Sequence, residues 1–345
     1  TYDTQGNLLT ETDPDGHTVS HTYDLDGRLT STTDANGNTT NFTYDPNGNL
    51  TVTTDPLGNT ETTSYDVMNQ AVAVVDKRGN TTSTTYDAMG RVTSITDGNG
   101  NATSYTYDAN GNVLTITDGN GNTSTCEYDA ENKLTKITTA EGNVTTFIYD
   151  ALGQLTGTTN ALGNTTTGVY DADGNLTGET SALGLTTSYA YDSLGRVTAK
   201  INADGTKTEY TYDANGNILT MKDALGGTYS YTYDKNNRLT STTDPNGGVF
   251  TTTYTAGGQV SSNTDAENRT TSYTYDGNNN VTSVTDGRGN TTNYTYDALN
   301  RMTGMTDAEG NIVSYVYDGN GNLTSMIRPD EGVVSYVYDA ANQAT

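Results

Sequence analysis

Tyr107-Asp108-Ala109-Asn110-Gly111-Asn112-Val113-Leu114-Thr115-Ile116-Thr117-Asp118-Gly119-Asn120-Gly121-Asn122-Thr123-Ser124-Thr125-Cys126-Glu127 decides the fold, because Tyr128 begins the same pattern again. Tyr returns every 21 residues from Tyr2 through Tyr23, Tyr44 and Tyr65 to Tyr338, without a gap or insertion. Self-similarity at a fixed short period marks a repeat architecture, in which each unit buries its surface against its neighbours. The unbroken register leaves no place for a linker, so residues 1–345 read as one uninterrupted array of about 16 repeats. Both ends fall inside the pattern, which reads as a segment of a larger protein.

Each unit holds two cassettes of the form Asp-x-x-Gly-Asn, here Asp108–Asn112 and Asp118–Asn122, separated by short runs rich in Thr, Tyr, Val and Ile. Asp opens a turn by accepting backbone hydrogen bonds, and a residue of positive φ closes it into a hairpin. That residue is Gly in eleven units, among them Gly27, Gly111 and Gly195. It is Asn in the other six: Asn69, Asn132, Asn237, Asn279, Asn300 and Asn342. Gly and Asn are the residues that best tolerate the left-handed region, so the column marks a turn and not a phosphate cradle. The expected fold is all-β: a continuous antiparallel meander, two strands per 21-residue unit, coiled by accumulated strand twist.

A second aromatic stands two residues before many of the tyrosines, as in Tyr105/Tyr107, Tyr189/Tyr191 and Tyr210/Tyr212. Period two places both rings on one sheet face, so Tyr23, Tyr44, Tyr107, Tyr191, Tyr212, Tyr275 and Tyr317 are expected in a packed aromatic ladder. Cys126 fills the second slot as a packing substitute, and a single Cys forms no intrachain disulfide framework. An odd period must hide one extra residue per unit, as a bulge or a longer loop. Apolar columns three residues apart, such as Val113 and Ile116, leave two arrangements. Either both faces carry apolar surface or the bulge lies between the columns.

The net charge of -26 disfavours nucleic acid, polyanions and anionic membrane surfaces as partners, and no apolar run approaches a membrane span. His17 and His21 are the only histidines and do not recur, so neither a triad nor a repeated His metal site is supported. The acidic columns, including Asp24, Asp108 and Asp192, supply oxygen ligands that suit Ca²⁺, but Asp-x-x-Gly-Asn lacks the further carboxylates and distal Glu of a Ca²⁺ loop. The Asp residues are therefore read as turn caps. Arg28, Arg91, Arg196, Arg238, Arg301 and Lys133 recur beside them and are expected in exposed cross-turn pairs. No catalytic, cofactor-binding or metal residue is assigned.

With Tyr-Asp-x-x-Gly-Arg/Asn-Leu-Thr-x-x-Thr-Asp-x-x-Gly-Asn recurring throughout, the chain resembles the RHS/YD-repeat family. Its members include bacterial polymorphic toxins, shell components of insecticidal toxin complexes, wall-associated proteins and animal teneurins. The resemblance implies a long antiparallel sheet spiralling into a hollow shell, tube or superhelix, which in the toxins encloses a toxic C-terminal polypeptide. Nothing resembles the family's self-cleaving core: Asp55-Pro56-Leu57-Gly58 and Asp244-Pro245-Asn246-Gly247 are ordinary second cassettes, so autoproteolysis is carried over to no residue. The expected function is non-catalytic: a structural segment of a secreted or cell-surface bacterial protein, forming a uniform β-sheet tube or extracellular fibre. The alternatives are the wall of a cocoon around a C-terminal toxin and a glycan-binding adhesin surface. The expected partners follow: end-to-end copies of the chain, an enclosed toxin polypeptide or a surface glycan.

Overall fold

The computed structural model describes residues 1–330 and 332–345. Its 32 strands, from Thr10–Thr12 to Gly332–Ser335, form an antiparallel sheet, as the two-strand unit requires. The chain divides into two compact units, one of residues 1–102 with 252–345 and one of residues 103–251.

Within a repeat a five-residue strand alternates with a six-residue strand, as in Val113–Thr117 and Thr123–Tyr128. Across the first turn the register runs Ser104↔Thr117, Tyr105↔Ile116, Thr106↔Thr115 and then Tyr107↔Val113, skipping Leu114. The skipped residue is the bulge that the odd period demands. It recurs at Thr198, between the pairs Ala190↔Ala199 and Tyr191↔Val197, and at Thr30, between Thr22↔Ser31 and Tyr23↔Leu29. Of the two arrangements left open by the apolar columns, the bulge between them is the one found. It turns Val113 to the face of Tyr107 and Ile116 to the face of Tyr105, so both columns and both rings share one side.

The tyrosines of the aromatic ladder are half-buried. Its rings are flanked by side chains of neighbouring strands in their own sheet. Among the described residues the only buried side chains are Ala199 (6% exposed) and Asp55 (4%), beside the glycine Gly157, and no large side chain is fully enclosed. The fold therefore rests on strand pairing, on turns and on side chains that reach from one repeat to the next.

Candidate functional site: two rows of turns

Most turns are organised by one carboxylate, and Thr139, Asn160, Ser181, Asn202 and Thr255 stand in that place elsewhere. In Asp24–Arg28 the Asp24 amide donates to Arg28 O at 2.9 Å and the Gly27 amide donates to Asp24 O at 3.1 Å. Asp24 Oδ1 accepts the Asp26 and Arg28 amides, both at 2.9 Å, and Oδ2 accepts Arg28 Nε at 2.7 Å. Asp108 repeats this with the Asn110 and Asn112 amides and Asn112 Nδ2, and Asp192 with the Leu194 and Arg196 amides and Arg196 Nε. These donors hold the three carboxyls below the ordinary carboxylate range: the Arg28 amide leads for Asp24, the Asn112 side chain for Asp108 and the Arg196 side chain for Asp192. Gly27, Gly111 and Gly195 close the turns with φ of 77°, 95° and 74°. Both oxygens of each Asp are thus engaged inside its own turn. Among the described residues no group of three or more His, Cys, Asp or Glu is placed to hold a metal ion.

The tyrosines do more than pack. Tyr191 OH donates to Leu176 O at 2.7 Å, fifteen residues earlier, and the same bond joins Tyr23 to Leu8, Tyr44 to Leu29, Tyr212 to Val197, Tyr275 to Val260 and Tyr317 to Met302. The acceptor sits where the backbone ladder has opened. Between Val197–Ile201 and Lys207–Tyr212 the register ends at Ala199↔Glu209, and Val197 O, at the mouth of the bulge, takes the Tyr212 hydroxyl instead. Tyr107, facing Val113, completes the set of sequence-assigned tyrosines on this face.

The basic column forms the cross-turn pairs expected, half-buried instead of exposed, and Arg196 and Arg301 also clamp one repeat to the next. Arg196 bonds Asp192 in its own turn, donates from Nη1 to Asp213 O in the next turn at 2.9 Å, and lies 4.7 Å from the Tyr212 ring centroid. Arg301 does the same with Asp297, Asp318 O and Tyr317. A different link forms where the preceding turn carries Asn at its third and fifth positions. Asn110 Nδ2 and Asn112 Nδ2 both donate to Asn132 Oδ1, at 2.9 and 2.8 Å, and Asn215 and Asn217 do so to Asn237. Asn69, Asn132, Asn237, Asn300 and Asn342 of the glycine column are therefore acceptors that read the turn before them. The signal was present in the sequence as the pairing of Asn-x-Asn with Asn 20 residues later.

Within the unit of residues 1–102 and 252–345, the row of second turns lies against the row of first turns. Asn36 Nδ2 donates to Asp276 Oδ2 at 3.1 Å while its Oδ1 accepts the Gly277 amide at 3.0 Å. Asn99 repeats the pair with Asp339 (2.9 Å) and Ala340 (3.1 Å). Between them Arg78 reaches Tyr338 O, Asp339 O and Asn342 Oδ1 at 3.0–3.1 Å. Asn278 and Asn320 return bonds to Asp34 and Asp76 at 2.7 and 2.6 Å. Partners stand 240 to 244 residues apart, about eleven and a half repeats, or 260 to 264 for Arg78, one repeat more, and either offset brings a second turn opposite a first turn. Gly277 and Gly319 keep the seam close: an added Cβ would lie 2.9 Å from Asn36 Oδ1 and from Lys77 O respectively. Sequence reasoning missed this seam, because its period exceeds the repeat tenfold.

Comparison with known proteins agrees with this architecture. A Teneurin YD-shell family model matches residues 67–209. Solved structures of similar fold include TcdB2-TccC3-Cdc42 and TcdB2-TccC3 without the hypervariable C-terminal region, each 17% identical with a TM-score of 0.61 over 100% of this chain and 21% of theirs. The Tc holotoxin pore of Photorhabdus luminescens is 16% identical with a TM-score of 0.61, covering 98% of this chain and 24% of that one. The chain thus spans about a fifth of the length of these relatives. No curated protein matches it. The RHS Repeat family model matches residues 2–39, 23–60, 44–81, 191–228, 212–249, 254–291 and 275–312, more than half of the sequence, and the chain belongs to the RHS/YD-repeat family.

Proposed function

We propose that the chain is a non-catalytic wall segment of an RHS-type shell that encloses a polypeptide, within a bacterial protein that is secreted or displayed at the cell surface. The observation that carries this reading is the seam. An open stalk needs no lateral joint, whereas a wall around a cargo must seal edge to edge, as Asn36, Arg78 and Asn99 do against the turns from Asp276 to Asn342. Likeness of fold to the TcdB2-TccC3 structures supports enclosure over the uniform fibre. On this reading residues 1–345 act as one array, and Tyr23, Tyr107, Asp24, Asp108, Gly27 and their equivalents serve structure and not ligand binding.

The test is limited proteolysis of the intact natural protein before and after denaturation. Cargo is expected to resist cleavage while the array is folded and to become sensitive once it unfolds. Cleavage of all other polypeptide at one rate in both states, or open-ended filaments in micrographs, would overturn enclosure.

A further inference from the structure

One place in the seam gathers three departures from the repeat. Thr255 is the only residue other than Asp to follow the periodic Tyr. Gly257 is the only Gly at the third place of a first turn. Asp15 is the only acidic residue at the third place of the five second turns within residues 13–101. The structure brings the three together, because the Gly257 amide donates to Asp15 Oδ2 at 2.9 Å, 242 residues away in the chain. In a turn opened by Asp that third amide goes to the turn's own carboxylate, as the Asp26 amide goes to Asp24 Oδ1 and the Asn278 amide to Asp276 Oδ1. The shorter Thr255 Oγ1 accepts the fifth amide, from Gln259 at 3.2 Å. Asp15 thus supplies from the facing row the carboxylate that Thr255 lacks, and a Cβ on Gly257 would collide with Asp15 Oδ2.

We propose that Asp15, Thr255 and Gly257 are the specificity-determining lock of the seam, fixing which second turn meets which first turn. Elsewhere along the seam a donor faces the opening Asp: Asn36 and Asn99 donate to Asp276 and Asp339, and Arg78 stands 3.4 Å from Asp318. Each of these pairs, like Asp15 and Thr255, is 240 residues apart. One repeat out of register Asp15 would face Asp276, whose turn has already filled its third amide and carries Asn278 in place of Gly257. Two carboxylates about 3 Å apart shift a folding equilibrium about tenfold even at the dielectric constant of water. Thr255 is accordingly the opening residue that Asp15 accepts. The lock rests on the seam and not on what the wall encloses, so its failure would leave enclosure standing.

The test turns on sign. In the 345-residue protein Thr255→Asp restores the residue that opens every other first turn, and by turn chemistry alone it stabilises. Across the seam it sets a carboxylate against Asp15, so the equilibrium constant for urea unfolding is expected to rise about tenfold. In the Asp15→Asn background the same change recreates the arrangement of Asn36 with Asp276, and the constant is expected to return to the wild-type value or below. Gly257 lacks the left-handed φ of Gly258 (104°), so Gly257→Ala strains no backbone and is expected to destabilise more with Asp15 present than in the Asp15→Ala background. Hydrogen exchange reads the register itself. Thr255→Asp makes neighbouring registers alike for Asp15, so the Gly277 and Ala340 amides, held by Asn36 and Asn99, are expected to lose protection and to regain it with Asp15→Asn. A Thr255→Asp protein as stable as the wild type, a cost that Asp15→Asn leaves unchanged, or undiminished protection of both amides would overturn the proposal.

Discussion

At the scale of the residue, the tyrosine hydroxyl matters separately from its ring. Tyr191 OH supplies the hydrogen bond that Leu176 O lacks at the bulge, so Tyr191→Phe is expected to lower the free energy of urea unfolding by about 1 kcal/mol. Tyr191→Ala costs more, yet less than the about 3–5 kcal/mol of a ring in a closed core, because the ring is only half-buried. No change for Tyr191→Phe would remove the hydroxyl from the account. Asn132 gives a sharper case. Its φ of 63° suits Gly, and by backbone preference alone Asn132→Gly is neutral or stabilising. The two bonds its Oδ1 accepts from Asn110 and Asn112 predict the opposite sign, a loss of about 1 kcal/mol in the same assay. The turn roles of Asp24, Asp108, Asp192 and the glycine column were legible because Asp-x-x-Gly-Asn is a local motif. The second duty of Asn132 was not, since its backbone requirement already explains the residue.

At the scale of the element, neighbouring hairpins are joined in two ways, by an Asn pair onto Asn or by a long side chain laid against the next turn's Gly. Arg28 lies 3.9 Å from the Cβ position of Gly48, and Gln154 3.2 Å from that of Gly174. The value of a clamp depends on how far it reaches. Arg196→Ala breaks a clamp touching Asp192, Asp213 O and the Tyr212 ring, and is expected to cost about 1–2 kcal/mol. Arg269, 59% exposed and bonded to Asp265 and Glu267 of its own turn, is expected to lose less than about 0.5 kcal/mol on the same change. Equal costs in thermal or urea melts would deny the link between repeats. Two strands per repeat and the need for a bulge could be read from the parity of 21 and from the Val113 and Ile116 columns. Which pair of turns an arginine joins could not, because that depends on the step between successive hairpins.

At the scale of the molecule, stability is expected to be flat across a wide pH range and to fall at both ends. Asp24, Asp108 and Asp192 have folded values held below the ordinary 3.8, so their contribution is complete above it and disappears as pH falls through the lower, folded value. Burial pushes Tyr191, Tyr212, Tyr275 and Tyr317 above the ordinary 10.0. Their contribution is complete below that value and is lost as pH rises through the raised one. Melting temperature followed against pH should therefore form a plateau from about 4 to about 10, and a step near neutrality would contradict this. The seam is the feature that makes an edge-sealed wall out of a ribbon, and it was least visible in the sequence: Asn36 and Gly277 gain meaning only once the ribbon's return is known. It is tested most directly by a double-mutant cycle between Asn99 and Asp339, whose side chains bond at 2.9 Å across it. Asn99→Ala and Asp339→Ala are each expected to lower the free energy of urea unfolding, with a coupling of about 0.5–1 kcal/mol between them. Strictly additive costs would show that the rows of turns do not meet.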